Sequence, residues 1–279
     1  MRPAVLHRIV AAAIALVVIA AGVVVWRGMM RVEPLSVAEP RRADLRSLAN
    51  TSVFFGHQSV GANVLHGLAA LDGSAEAGIR IVESTDARDV AVGTVVHAHM
   101  GVNGDPQSKI DAFLEVMDAG MADAVDVALL KFCYVDVTAE TDVAAVFAAY
   151  TAAIADLQAR HPDTTFLYAT VPLATARDLK GTIRSWLGRD AGMGPEDNVA
   201  RQQFNAAVRD RLAGTDLLFD IAAVESGMDQ GVSPRSHAGA DYYVLDDSFA
   251  ADPGHLGEAG SRAAAAELVR TIGAVRERA

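Results

Sequence analysis

Ser52-Val53-Phe54-Phe55-Gly56-His57-Gln58-Ser59-Val60-Gly61 is the stretch that decides the fold. A short apolar run stops at Gly56, a polar triplet follows, and from Val60 the apolar residues recur at helical spacing, at Val60, Val64, Leu68 and Leu71. A buried strand passing through a tight turn into a helix is the first half of a βαβ crossover. The same alternation repeats downstream. Residues 79–82, 125–132, 165–171 and 217–221 read as further strands, and 108–117, 142–159, 197–212 and 258–275 as helices. Short strands alternating with longer helices predict an α/β fold: a three-layer αβα sandwich around a mostly parallel sheet of about five strands. Residues 173–195 and 226–250 are left as the longest irregular stretches, read as surface loops.

Before this body comes an uninterrupted apolar run over residues 9–26, bounded by Arg8 and Arg27. As a helix it would span roughly 27 Å, close to the hydrocarbon thickness of a bilayer. A cleaved secretory signal would have a shorter apolar stretch and a small-x-small site. The run instead ends in Val-Val-Val-Trp-Arg, which favours an uncleaved transmembrane anchor over 1–31. Arginines flank it on both sides, so charge does not orient it. Its position at the N-terminus is the reason to expect the body outside the cytoplasm. Residues 32–48, proline-bearing and charged, read as a linker, leaving 49–279 as the folded domain.

Charge excludes one class of partner. The chain carries −11 overall, and its first 31 residues hold four arginines and no acid, so the remainder carries −15. Such an acidic body is unsuited to binding nucleic acid or an anionic surface through a broad basic face. The lone cysteine, Cys133, excludes an internal disulfide and reads as a small buried apolar residue.

Three polar groups break the apolar pattern at strand ends, where α/β sheets collect their functional loops. Ser59 follows the first strand and precedes a helix, whose N-terminus offers backbone N–H groups and a dipole suited to negative charge. An N-cap serine would look the same. Asp252-Pro253-Gly254-His255 precedes the last helix, where a carboxylate can orient an imidazole toward one point. His99-Met100-Gly101-Val102-Asn103-Gly104 supplies glycines that let amides approach a ligand oxygen. His57, His97 and His99 have no zinc-motif spacing, so no metal is expected. His237 reads as a solvated loop residue.

In their order and context these three motifs resemble the SGNH (GDSL-like) hydrolases over roughly residues 50–276. Asp126-Val-Ala-Leu-Leu-Lys-Phe-Cys-Tyr-Val-Asp136 looks like that family's central strand and the block after it. The resemblance implies an esterase, a carbohydrate O-deacetylase or a related acyltransferase, acting without metal or organic cofactor on a small-molecule or glycan ester. It implies Ser59 as nucleophile, His255 as base, Asp252 as its orienting partner, and the amides of Ser59 and Gly104 in the oxyanion hole. His57, Cys133, Tyr134 and Asp136 would line the site. Two departures stand out. The usual Gly-Asp-Ser appears as Gly56-His57-Gln58-Ser59, and the usual Gly-x-Asn-Asp as Cys133-Tyr134-Val135-Asp136. The oxyanion-binding asparagine is therefore missing, a loss worth on the order of 2.7–4 kcal/mol of transition-state stabilisation. Gln58 and Asn103 are the nearest substitutes. The competing expectation is a surface domain that keeps the fold and binds a saccharide or protein without turnover.

Overall fold

The computed structural model describes residues 34–75, 77–178 and 193–278. The expected anchor over 1–31 lies outside the described residues; among these, no helix is long and apolar enough to cross a membrane.

Strand β1 (Val53–His57), β2 (Arg80–Glu83), β3 (Thr94–His99), β4 (Val127–Leu130), β5 (Thr165–Ala169) and β6 (Leu218–Phe219) form one sheet in the order β2-β3-β1-β4-β5-β6. All five pairings are parallel. The sheet thus has six strands where five were expected. The extra one is β3, whose Thr-Val-Val-His-Ala-His interrupts its apolar run with two histidines. That pattern lacks a continuous apolar run, but a strand end at the rim of a sheet tolerates polar side chains.

Helices α1 (Arg42–Ala49), α2 (Val60–Ala75), α6 (Ile221–Ser226) and α7 (Glu258–Arg278) cover one face. Helices α3 (Pro106–Val116), α4 (Val143–Arg160) and α5 (Pro195–Arg211) cover the other. Strand alternation feeds both cores: Val53, Phe55, Val127 and Leu129 point to the first, Phe54, Ala128 and Leu130 to the second. Each buried Val, Leu or Phe contributes about 1.5–3 kcal/mol of transfer free energy, and both faces are lined with them.

The linker reading of 32–48 needs correction. Residues 42–48 lie in α1, with Asp44, Leu45 and Leu48 buried. The helix packs on α7 so closely at Gly273 that a Cβ there would meet the Asp44 carboxylate at 2.7 Å. The compact unit begins at Leu35, well before residue 49. Two leucines among charged residues looked like a spacer because half of this amphipathic helix faces water. The stretches read as surface loops are also partly structured. Val171–Ala174 is buried, and an exposed hairpin joins β7 (Arg235–His237) to β8 (Ala240–Tyr242).

One feature of the winding positions the site. The helix after β1 lies on one face, whereas those after the flanking β3 and β4 lie on the other. The crevice at the carboxyl end of β1 is a topological switch point, where open α/β sheets bind ligands.

Candidate active site

Ser59 occupies the turn between β1 and α2, in the left-handed region at φ +39. A side chain there costs about 1–3 kcal/mol. The turn is closed by Gly61 N–H to the Gln58 carbonyl and Ala62 N–H to the Ser59 carbonyl, both 2.8 Å. Position 61 must be glycine: an added Cβ would lie 2.3 Å from His57 carbons. Among the described residues, the amides of Ser59 and Val60 have no hydrogen-bond acceptor. Both lie at the positive end of α2.

The Asp252–His255 loop is a small hairpin of β9 (Ala250–Asp252) and β10 (His255–Leu256). Asp252 Oδ1 accepts from the Gly254 and His255 amides at 2.9 and 3.0 Å, an Asx turn that fixes the carboxylate. Both Asp252 oxygens lie 2.9 Å from His255 Nδ1. The Gly254 amide, then the His255 side chain, hold the Asp252 carboxyl below its usual range. An ionised carboxylate only accepts, so Nδ1 carries the proton and Nε2 is left as acceptor. That Nε2 lies 2.5 Å from Ser59 Oγ. Ser59, His255 and Asp252, 196 and 3 residues apart, therefore form one hydrogen-bonded line.

Tyr134 is the one expected lining residue that touches this line. Its ring stands edge-on to His255, with centroids 5.7 Å apart at 89°. Gly254 gives it room, since a Cβ there would lie 2.2 Å from the Tyr134 ring. Arg201, fully buried, donates to the Tyr134 carbonyl at 2.8 Å and to Asn198 at 2.6 Å, so the segment is braced from α5. Burial pulls the Arg201 guanidinium down to about 10.

The other expected residues have different partners. Gly104 donates its amide to Asp136 Oδ1 at 2.8 Å, which removes it from the oxyanion role assigned on resemblance. Asp136 Oδ2 accepts from Lys109 Nζ and from the Cys133 amide, both at 2.5 Å. Asp136, Lys109 and Cys133 are buried beneath the loops rather than lining the crevice. Gln58 Nε2 donates to the Met100 and Gly101 carbonyls at 3.1 and 3.0 Å, which removes it as an oxyanion donor as well. Asn103 Oδ1 accepts from Lys109 at 2.9 Å. His57 is buried against Gly61, with Nε2 3.1 Å from His97 Nδ1, and burial pushes it down to about 3. No group of three or more potential metal ligands comes together among the described residues.

The buried charges of Lys109, Arg201 and Glu225 escaped the sequence reading. Lys109 stands four residues before Phe113 and so shares its buried face, a signal that was available. Glu225, on α6, accepts the Leu173 amide at 2.6 Å. Burial pushes Glu225 up to about 8 and pulls Lys131, on the same side of the sheet, down to about 8.

No protein-family model and no curated protein matches this chain. Among solved structures it is similar to a member of the lipolytic protein G-D-S-L family from Veillonella parvula. That match has 14% identity, covers 77% of this chain and 93% of the other, and has a TM-score of 0.45. It is also similar to the periplasmic domain of a lipopolysaccharide acetyltransferase from Salmonella ser. Paratyphi A. There the identity is 15%, the coverage 76% and 79%, and the TM-score 0.39.

Proposed function

We propose that this chain is a serine-dependent ester hydrolase, or a closely related acyltransferase, acting on a small-molecule or glycan ester. The observation that carries the reading is the Ser59 Oγ–His255 Nε2 separation of 2.5 Å, with Nδ1 held by Asp252 at 2.9 Å. In this arrangement His255 takes the hydroxyl proton as Ser59 attacks the acyl carbon. The negative charge on the acyl oxygen develops against the open amides at the start of α2, where dipole and N–H groups favour it. Collapse of the tetrahedral intermediate breaks the C–O bond of the ester, and His255 returns the proton to the departing alkoxide. A water, or an acceptor hydroxyl in the transferase variant, repeats the sequence to release the acyl group. Asp252 keeps His255 in the tautomer both half-reactions need and stabilises the imidazolium between them.

The reading includes a membrane tether through residues 9–26 and an extracytoplasmic body. Its test is labelling of the full chain in detergent with a fluorophosphonate probe. Labelling is expected in wild type and absent in Ser59→Ala. Equal labelling of the two, or none of either, would overturn the catalytic assignment and leave a fold that binds without turnover.

A further inference from the structure

The hydrolase reading leaves its base in an exposed place. The side chains of His255 and Asp252 keep 37% and 54% of their surface open to water. Both carboxylate oxygens lie 2.9 Å from Nδ1, so the carboxylate alone leaves the imidazole free to rock about that nitrogen. Nε2, on the far side of the ring, swings widest in such a motion, and its 2.5 Å approach to Ser59 Oγ needs a stop. Among the described residues, the ring that meets His255 is Tyr134, edge-on at 5.7 Å and 89°.

Both flanks of the Asp252–His255 turn lead back to one turn of α5. On one flank, Arg201 donates Nε–H to the Tyr134 carbonyl at 2.8 Å, and its guanidinium carbon lies 5.8 Å from the centre of the Tyr134 ring. On the other, the Thr175 amide donates to the Pro253 carbonyl at 2.8 Å. The adjacent Ala174 is gripped by Asn198 at both its amide and its carbonyl, at 3.1 and 2.9 Å. Asn198 and Arg201 stand three residues apart on α5 and so share a face. Arg201 Nη1 donates to Asn198 Oδ1 at 2.6 Å. The contacts thus close a ring, from Asn198 through Arg201, Tyr134 and Gly254 to Pro253, and back through Thr175 and Ala174.

Asn198 and Arg201 are both buried. Among the described residues, the acceptors of the Arg201 guanidinium are a carbonyl, a carboxamide and the Met193 sulfur, none of them charged. Burying a cation against neutral partners costs stability, so stability alone does not account for Arg201.

We propose that Tyr134 is a positioning residue for the base His255, and that Arg201, anchored on Asn198, fixes its ring. In this role Tyr134 makes no contact with the ester; it stops the imidazole at the angle where Nε2 can take the serine proton. This rests on the hydrolase reading.

The test is steady-state hydrolysis of p-nitrophenyl acetate by the full chain in detergent, with denaturation midpoints taken alongside. Tyr134→Leu removes the ring from a half-buried position. It is expected to lower kcat on the order of 10–10²-fold, with KM within about threefold of wild type and the midpoint near it. Tyr134→Phe keeps the ring and should stay within about threefold in both constants. Arg201→Lys keeps the charge but loses the fork that reaches Tyr134 and Asn198 together. It should lower kcat about tenfold with KM unmoved, and add nothing to Tyr134→Leu because it acts through that ring. If Arg201→Lys does not fold, Arg201→Gln takes its place with the same expectation. A Tyr134→Leu enzyme within about threefold of wild type in kcat would overturn the inference alone. So would equal losses in the Leu and Phe variants, or a raised KM with kcat kept, which would make Tyr134 a substrate contact. Losses that multiply in the double variant would overturn the role given to Arg201. Wild type without Ser59-dependent turnover would overturn the hydrolase reading, and this inference with it.

Discussion

Asp252 and Asp136 each collect several hydrogen bonds, yet the molecule uses them in contrary ways. Asp252 is half exposed, sits on a three-residue turn, and holds a titratable ring. Asp136 is only 1% exposed and holds a lysine and two backbone amides from separate loops. The exposed carboxylate stays ionised through local amides and solvent, so its removal spares the fold while the imidazole loses its orientation. The buried one is compensated only by partners brought together in folding, so its removal leaves a cation stranded in the interior. One aspartate orients an exposed imidazole, the other ties two loops to a buried lysine.

Four measurements would break or sharpen that contrast. The largest effect is expected from Asp252→Ala: a fall in kcat of roughly 10³–10⁴, or about 4–5.5 kcal/mol of transition-state stabilisation. Its denaturation midpoint should stay near wild type, and a variant that unfolds would erase the distinction. Asp136→Ala comes next, with about 3–5 kcal/mol lost in chemical denaturation because Lys109 loses its counter-charge. An Asp136→Ala protein as stable as wild type would show that the buried pair does not brace the loops.

The third measurement concerns His57, whose folded value near 3 lies below its ordinary 6.5. Between those values the unfolded chain binds a proton that the folded chain refuses, so stability is full above pH 6.5 and declines as pH falls toward 3. One such group contributes up to about 1.4 kcal/mol per pH unit, and His97, shifted the same way by burial, adds to it. Denaturation series at pH 7, 5 and 4 should show a shallower slope in His57→Asn. The smallest effect belongs to Val102, 65% exposed beside Asn103, where serine should change stability by no more than about 0.5 kcal/mol.

The same contrast explains what could be read from sequence. Ser59, Asp252 and His255 come together as the sequence reading expects, because each sits on locally determined structure: a strand-to-helix turn, and an Asx turn three residues long. The layered α/β architecture follows from periodicity for the same reason. The oxyanion role of Gly104 is implied by the family resemblance, not by local spacing. The acceptor its amide actually meets is 32 residues away, and no local spacing reveals it. Gln58 was misjudged likewise, since its partners come from a loop more than 40 residues on. α1 and β3 were missed through composition: a half-wet helix with two leucines, and a strand ending in histidines. Contacts that close over long sequence distances are set by topology, and topology emerges only when the sheet is assembled.

The left-handed backbone at Ser59 carries a consequence for anyone evolving this protein. Glycine would relieve the strain at that position at no steric cost, so Ser59→Gly should melt later than wild type while being unable to form an acyl-enzyme. A laboratory selection that rewards survival on heating and ignores turnover would therefore drift toward glycine at 59. Retention of serine in such a lineage would mean that turnover had been under selection all along.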